Sequence, residues 1–316
     1  MISSPEELIE FSVRKTAVVK RIIADDEVLV TPSKEQGEEQ DQRMRALVEK
    51  HVSDIWVSGT ENLEAAEEMV GDNTLITVRK HATYFDIATG RAAYESKGKK
   101  AFADAQAYLA GLEIHEFYRN SHFPAKEIAV MVIAPQDTAT IKRGTEGDLK
   151  DQMSLGQGAH LAGAMRLFRY FTEELSNPMV AAQVAKTHRM SIFPEADLSP
   201  QNGWTQRARG ETSRVFARRD NLILPVITDG PDQLFGIDVL DGNPDEVYGT
   251  FTLEMRIGKP FTTNRAREVY TGIPKEVKEA LGITLADVVF KPTADLMPDR
   301  IDPRFRDFYQ NVPSVY

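Results

Sequence analysis

TLITVRKHATYFD, residues 74 to 86, holds a strand and a candidate catalytic pair in one short stretch. TLITV, 74 to 78, is rich in β-branched residues and reads as a strand that delivers His81 to its edge. Asp86 follows five residues after His81. Five residues of continuous helix turn through about 500°, about 140° off one face, so the two side chains cannot converge on a regular helix. The segment must therefore bend, most simply as a strand end that passes through a turn into a helix. A histidine, with an unperturbed pKa of about 6.5, accepts a proton at neutral pH and returns it to a leaving group. A carboxylate beside it holds the ring in one tautomer and favours the imidazolium that forms. His81 is thus the candidate base and Asp86 its orienting partner.

Further strings follow in chain order. A basic IKR lies at 141 to 143, SIFPEADLSP at 191 to 200, RARGETSRVFARRDNLILPVI at 207 to 227 and MRIGKPF at 255 to 261. Each alone is weak. In this order, over about residues 74 to 261, they resemble the successive motif blocks of the glycerol-phosphate and lysophosphatidate acyltransferase superfamily, whose first block is HxxxxD. The resemblance implies direct transfer of a fatty acyl group from acyl-CoA or acyl carrier protein to a hydroxyl of a glycerol-3-phosphate-like acceptor, with no cofactor and no metal. It makes Arg143, with Lys142 as a second choice, the grip on an acceptor phosphate. Arginine suits that duty because its planar fork donates two parallel hydrogen bonds and stays charged. It makes Phe193, Pro194, Glu195 and Ser199 the acceptor-binding block, with backbone donors near Phe193 to Ala196 shaping the site, and it matches Arg209, Gly210 and Pro225 to the fourth block. Here Ala196 stands where the family has glycine, and Asp197 and Leu198 where it has threonine and arginine. Alanine resists positive φ and close ligand approach, and one phosphate contact is lost, so the acceptor site differs from that of the standard lysophosphatidate enzymes.

Composition narrows the classes. At 316 residues and 41% hydrophobic content the chain can bury a large α/β core. Zero cysteines exclude disulfides, thiolate catalysis and cysteine-ligated metal. A net charge of −10 argues against general nucleic-acid binding, which needs a basic face. Positive charge is local, in Lys97, Lys99 and Lys100 and in Arg207, Arg209, Arg214, Arg218 and Arg219; the second cluster suits the phosphates of coenzyme A or the acidic surface of acyl carrier protein. The longest apolar run, IAVMVIAP at 128 to 135, is far short of the ~20 residues that span a bilayer, and with no signal-peptide pattern this predicts a soluble, cytoplasmic protein, either free or in peripheral contact with the inner membrane face. Other constellations fail on spacing: Gly156, Gly158 and Gly163 make no dinucleotide fingerprint, and His115, Glu116 and His122 no metalloprotease motif. No G-x-S-x-G elbow occurs, and His51, His160 and His188 have no motif around them.

Residues 1 to 70 read as a helical N-terminal region. Ser4, Pro5 and Glu7 make a capped start, and Leu8, Phe11, Val18 and Ile22 form a stripe that faces a core or, with its interspersed Arg14, Lys15, Lys20 and Arg21, a membrane surface. PSKEQGEEQDQ at 32 to 42 precedes a second helix through about 57, and a third spans 61 to 70. Residues 71 to 316 read as an α/β acyltransferase domain, with strands at 74 to 78, 128 to 133, 188 to 193, 222 to 228 and 248 to 257 and helices near 100 to 112, 148 to 175 and 206 to 219. Pro225 predicts an edge strand, a bulge or a strand end. The C-terminal NRAREVYTGIPKEVKEALGI reads as closing helices and DLMPDRIDPRFRDF as an ordered surface tail. The fold expected is therefore a mixed, mostly parallel sheet flanked by helices, as in glycerol-3-phosphate acyltransferases, behind a helical N-terminus. Two other readings stay open: an acyltransferase for a non-phosphate acceptor, and a non-catalytic acyl-chain-binding protein on the same scaffold.

Overall fold

The computed structural model describes residues 4–25, 29–30, 34–81, 83, 85–110, 127–130, 149–171, 175, 177–186, 188–195, 204–217, 219–233 and 248–316. In chain order they form α1 (Pro5–Ala24), β1 (Leu29–Val30), α2 (Lys34–His51), β2 (Val52–Ser58), α3 (Thr60–Met69), β3 (Leu75–Arg79), α4 (Asp86–Ser96), α5 (Lys100–Asp104), β4 (Ala107–Ala110) and β5 (Glu127–Val130). There follow α6 (Leu155–Arg169), α7 (Asn177–Lys186), β6 (Arg189–Ile192), α8 (Ser213–Ala217), β7 (Leu222–Asp229), β8 (Phe251–Ile257), β9 (Phe261–Thr262), α9 (Thr263–Gly272), α10 (Lys275–Leu281), α11 (Leu285–Asp295) and α12 (Arg306–Asn311). The chain divides into two compact units, one of Met1–Thr31, Leu109–Ser121 and Ile128–Lys186, the other of Pro32–Tyr108, His122–Glu127 and Thr187–Tyr316.

In the first unit α1 starts as its sequence predicts, with the Ser4 hydroxyl accepting from the Glu7 N–H and Pro5 in the first turn. Leu8, Val18 and Ile22 of the stripe are buried, and α1 packs along α6, whose Leu161, Ala164 and Phe168 are buried in turn. β1 and β5 pair antiparallel, with Leu29 opposite Ala129. No helix among the described residues is long and apolar enough to cross a membrane.

The second unit carries the sheet. Its strands run in the order β4-β6-β3-β7-β8-β2, with β9 beside β7. β4, β6, β3 and β7 are mutually parallel, as are β2 and β8, whereas β7 meets β8 and β9 antiparallel. The sheet is thus mixed and mostly parallel, with helices on both faces, as the sequence leads one to expect. Strands covered on both sides read as continuous apolar runs, and β3 and β7 are buried almost throughout. On one face Leu75, Leu222, Leu224 and Val226 pack with Tyr94 of α4, Phe102 of α5, Leu63 of α3 and Leu47 of α2. On the other lies α11, opened by a reciprocal Thr284 and Asp287 capping box and held to β3 by Thr293 Oγ1 donating to the Val78 carbonyl at 3.1 Å.

Several local expectations are corrected. Residues 52 to 57, expected to continue a helix, form β2: VSDIWVS places Val52, Ile55 and Val57 on the core and pairs with β8 from Phe251 to Arg256. Helix-forming residues run into this strand with no glycine or proline between, so composition hides the boundary at His51. AYLA at 107 to 110, expected at the end of a helix, is β4, because pairing with Met190 and Ser191 of β6 outweighs the helix preference of alanine and leucine. Of the helix expected over 206 to 219, only Ser213–Ala217 is α-helical among the described residues, after one 3-10 turn at Gly210–Thr212.

Pro225 sits in a central strand. The Val78 register partner flanks it on one side; on the other, β7 changes partner from Phe261 and Thr262 of β9 to Ile257 of β8. The Pro225 carbonyl accepts from Gly258 at 2.8 Å on that changing side, so the missing proline N–H falls in a local gap of the ladder and nothing is lost there. The C-terminal segment lies at the surface, with Pro303, Arg304, Arg306 and Asp307 exposed, and is anchored through Ile301, Tyr309, Val312 and Val315, which are buried.

Candidate active site

β3, β6 and β7 are parallel, so their carboxyl ends open on the same edge of the sheet, where the chain order of the strands reverses about β3. Ligands of open α/β sheets bind at such an edge. β3 ends at Arg79, Lys80 and His81 follow beyond the strand, Phe85 stands in a turn and α4 begins at Asp86. This is the bend that the five-residue spacing requires. It brings His81 Nδ1 to 2.9 Å from Asp86 Oδ2. Asp86 Oδ2 also accepts from the Thr83 N–H at 3.1 Å, which fixes the carboxylate from the loop side. The Asp86 side chain is buried, whereas that of His81 is 17% exposed, so the ring edge can meet a ligand. With Nδ1 committed to Asp86, Nε2 is the nitrogen that would take a proton.

β6 delivers the second half. Phe193 lies flat enough on His81 to stack, with centroids 4.5 Å apart and planes at 31°. Glu195 is fully buried, and its two carboxylate oxygens accept main-chain N–H bonds, Oε1 from His81 at 3.2 Å and Oε2 from Gln206 at 3.0 Å. Burial pushes its carboxyl up to about 8; the N–H donors of Gln206 and His81 and the Lys80 cation pull it back, and the Asp86 charge adds to the rise. Glu195 therefore braces the main chain of the candidate base. Arg209 is exposed beside it, its N–H donating to the Pro194 carbonyl at 2.8 Å and its Nε to the Glu195 carbonyl at 3.4 Å.

His81, Asp86, Phe193, Pro194, Glu195 and Arg209 are thus brought together from three separated stretches. Arg143, Lys142 and Ser199 lie outside the described residues, as do His115, His122 and Ala196 to Leu198. His188 precedes β6 at the far end of the strand, His160 is exposed in the first unit, and His51 is buried against the Gly249 carbonyl at 2.7 Å; none belongs to the site. Of the basic cluster, Arg207 is committed to packing: it pairs with Asp287 at 2.9 Å and lies 4.0 Å from the Phe308 ring. No group of three or more His, Asp or Glu residues able to hold a metal ion occurs among the described residues.

Sequence reasoning passed over the supports. Lys80 is fully buried with Nζ 3.4 Å from Asp229 Oδ1, at the end of β7, and Asp229 Oδ2 accepts from Arg300 Nη2 at 2.6 Å. Tyr309 Oη donates to the Gln206 carbonyl at 2.8 Å, behind the peptide that holds Glu195. Burial raises the Tyr309 pKa well above its ordinary value, so the hydroxyl remains a donor. The one sequence signal was the RKH run at 79 to 81, two cations ending a strand otherwise built for the core. Asp229, Arg300 and Tyr309 carried none.

No protein-family model matches the chain, and no curated protein matches it. Among solved structures it is similar to the 1-acyl-sn-glycerophosphate (LPA) acyltransferase PlsC from Thermotoga maritima, with 14% identity over 90% of this chain and 95% of that chain and a TM-score of 0.43. At that identity and score the likeness bears no weight on function.

Proposed function

We propose that the protein is an O-acyltransferase that moves a fatty acyl group from an acyl thioester, of coenzyme A or acyl carrier protein, to a hydroxyl of glycerol-3-phosphate or a related lysophospholipid. The observation that carries this reading is the His81 Nδ1 to Asp86 Oδ2 contact of 2.9 Å at the carboxyl edge of parallel strands. The ordered resemblance of the flanking blocks supplies the reaction class. In the proposed step His81 Nε2 takes the acceptor hydroxyl proton as the oxygen attacks the thioester carbonyl carbon. Asp86 holds the ring in the required tautomer and balances the imidazolium. The tetrahedral intermediate collapses with cleavage of the C–S bond, and the proton on Nε2 passes to the leaving thiolate. The products are an ester and a free thiol, with no acyl-enzyme and no cofactor. Arg143 and Lys142 are proposed to hold the acceptor phosphate, with Arg209, exposed beside Glu195, as a further contact.

The test incubates the protein and its His81→Ala variant with palmitoyl-CoA or palmitoyl-acyl carrier protein, offering glycerol-3-phosphate and lysophosphatidate separately, with products identified by mass spectrometry. A His81-dependent ester with one acceptor is expected, with turnover falling by about 10²–10⁴ in the variant. Wild-type turnover in a folded His81→Ala protein would sink the mechanism. Thioester binding with no ester on any acceptor would instead support a binding protein, and fatty-acid release indifferent to acceptor a thioesterase. Arg143→Ala should chiefly raise the acceptor KM.

A further inference from the structure

Arg79 is the bulkiest of the fully buried side chains, 1% exposed, yet no carboxylate pairs with it among the described residues. A buried guanidinium is costly unless something specific holds it. Here Nη2 donates to the main-chain carbonyl of Asp86 at 2.6 Å. Cζ stands 5.4 Å from the centroid of Phe193, the ring that stacks on His81. One side chain therefore touches the first residue of α4, which carries the dyad carboxylate, and the aromatic wall behind the dyad imidazole. α4 admits it only because residue 90 is glycine: a Cβ there would lie 2.6 Å from Nη1 and 2.7 Å from Cζ, and closer still to Nη2. Glycine inside a helix is destabilising relative to alanine, so the slot carries a cost with this one visible use.

We propose that Arg79, seated in the Gly90 slot, is a positioning residue that sets the His81 and Asp86 geometry without touching substrate. The proposal rests on the reading of that pair as the reacting dyad. Arg79 fixes the entry of α4, and with it the Asp86 carboxylate, while its cation holds the Phe193 ring against the imidazole. An ångström of misplacement at a reacting group lowers turnover by about a hundredfold. Loss of Arg79 should therefore act on kcat and leave substrate affinity nearly unchanged.

The experiment is a double-mutant cycle of Arg79→Met, Gly90→Ala and the pair, each checked for folding by thermal denaturation. It measures kcat, the palmitoyl-thioester KM and the downfield proton resonance of the His81 Nδ1–H in substrate-free protein. Gly90→Ala is expected to fold, because the displaced guanidinium is the movable end of a long side chain. Each single variant should lower kcat by about tenfold to a hundredfold with KM within about twofold, and should shift or abolish the His81 resonance. The double variant should be no slower than Arg79→Met alone, since the methyl at position 90 then has nothing to displace. A folded Arg79→Met protein with wild-type kcat, a loss confined to KM, or a double variant slowed by the product of the two single effects overturns the proposal. If Arg79→Met does not fold, Gly90→Ala decides alone, and an unchanged kcat and resonance there overturn it. Should His81→Ala retain full turnover, the catalytic reading fails, and the resonance, which needs no turnover, still judges the role of Arg79.

Discussion

At the scale of single residues the site is built on buried ionisable groups held by main chain and by one another. Glu195 is the sharpest case, a carboxyl pushed from its ordinary 4.5 up to about 8 by burial. Between those two values the native protein keeps a proton that the unfolded chain has lost, so this group's contribution to stability is full below about 4.5 and falls as pH rises to about 8. Glutamine at the position cannot titrate, although its amide sets an NH₂ against one of the two N–H donors. Urea unfolding of wild type and Glu195→Gln at about pH 5 and about pH 8 should show the wild type losing ground to the variant as pH rises. Two curves that move in parallel would mean that the native carboxyl titrates at its ordinary value. His81 and Asp86 were legible in the sequence because their spacing excludes a continuous helix and a strand precedes them. Lys80 was not: a lysine after a strand reads as solvated, and only the placement of Asp229 at the end of β7 shows that it is enclosed.

At the scale of elements, α11 is the one whose local chemistry is best specified. Thr284 Oγ1 accepts from the Asp287 N–H, and Asp287 returns a bond to the Thr284 N–H while also pairing with Arg207. Thr284→Ala should cost about 1 kcal/mol, read from the shift in urea midpoint at unchanged slope. Breaking the ion pair at the ends of β3 and β7 is a larger change. Asp229→Ala leaves Lys80 buried without its carboxylate and Arg300 without its partner, and should cost about 3 kcal/mol in the same measurement. A loss under about 1 kcal/mol would mean that Lys80 finds water in the folded protein. The long apolar strands were readable from the sequence, β7 above all. β2 and β4 were not, since each follows helix-forming residues directly and becomes a strand only because β8 or β6 offers a ladder.

At the scale of the whole molecule, chain segments far apart in sequence meet around Glu195. Thr205 and Ile301 bridge in parallel, with the Thr205 N–H donating to the Arg300 carbonyl at 2.7 Å and the Asp302 N–H to the Thr205 carbonyl at 3.0 Å. Tyr309 closes the same strip through Gln206. The surface tail is thus also a clamp on the segment that holds Glu195. Tyr309→Phe, which removes the hydroxyl that donates to the Gln206 carbonyl, should cost about 1 kcal/mol. Truncation after Arg300 removes Ile301, Tyr309, Val312 and Val315 from the interior, and at about 1.5 kcal/mol or more for each buried apolar side chain the loss should reach several kcal/mol. Thermal denaturation of the truncated chain with an unshifted midpoint would contradict this packing.

The sequence by itself determined the class of fold and the pairing of His81 with Asp86, because both depend on short-range signals. Apolar runs bounded by turns specify buried strands, and a five-residue separation across a strand end specifies a bend. Tertiary structure alone decided what surrounds the pair. Whether Lys80 is solvated or enclosed, whether AYLA is helix or strand, whether Pro225 lies at an edge or beside a local gap, and whether the C-terminal tail is also a clamp are all settled by which distant segment lies alongside. Those contacts join residues separated by as many as 149 positions. Burial and pairing energies at such separations have no signature in the local pattern of side chains.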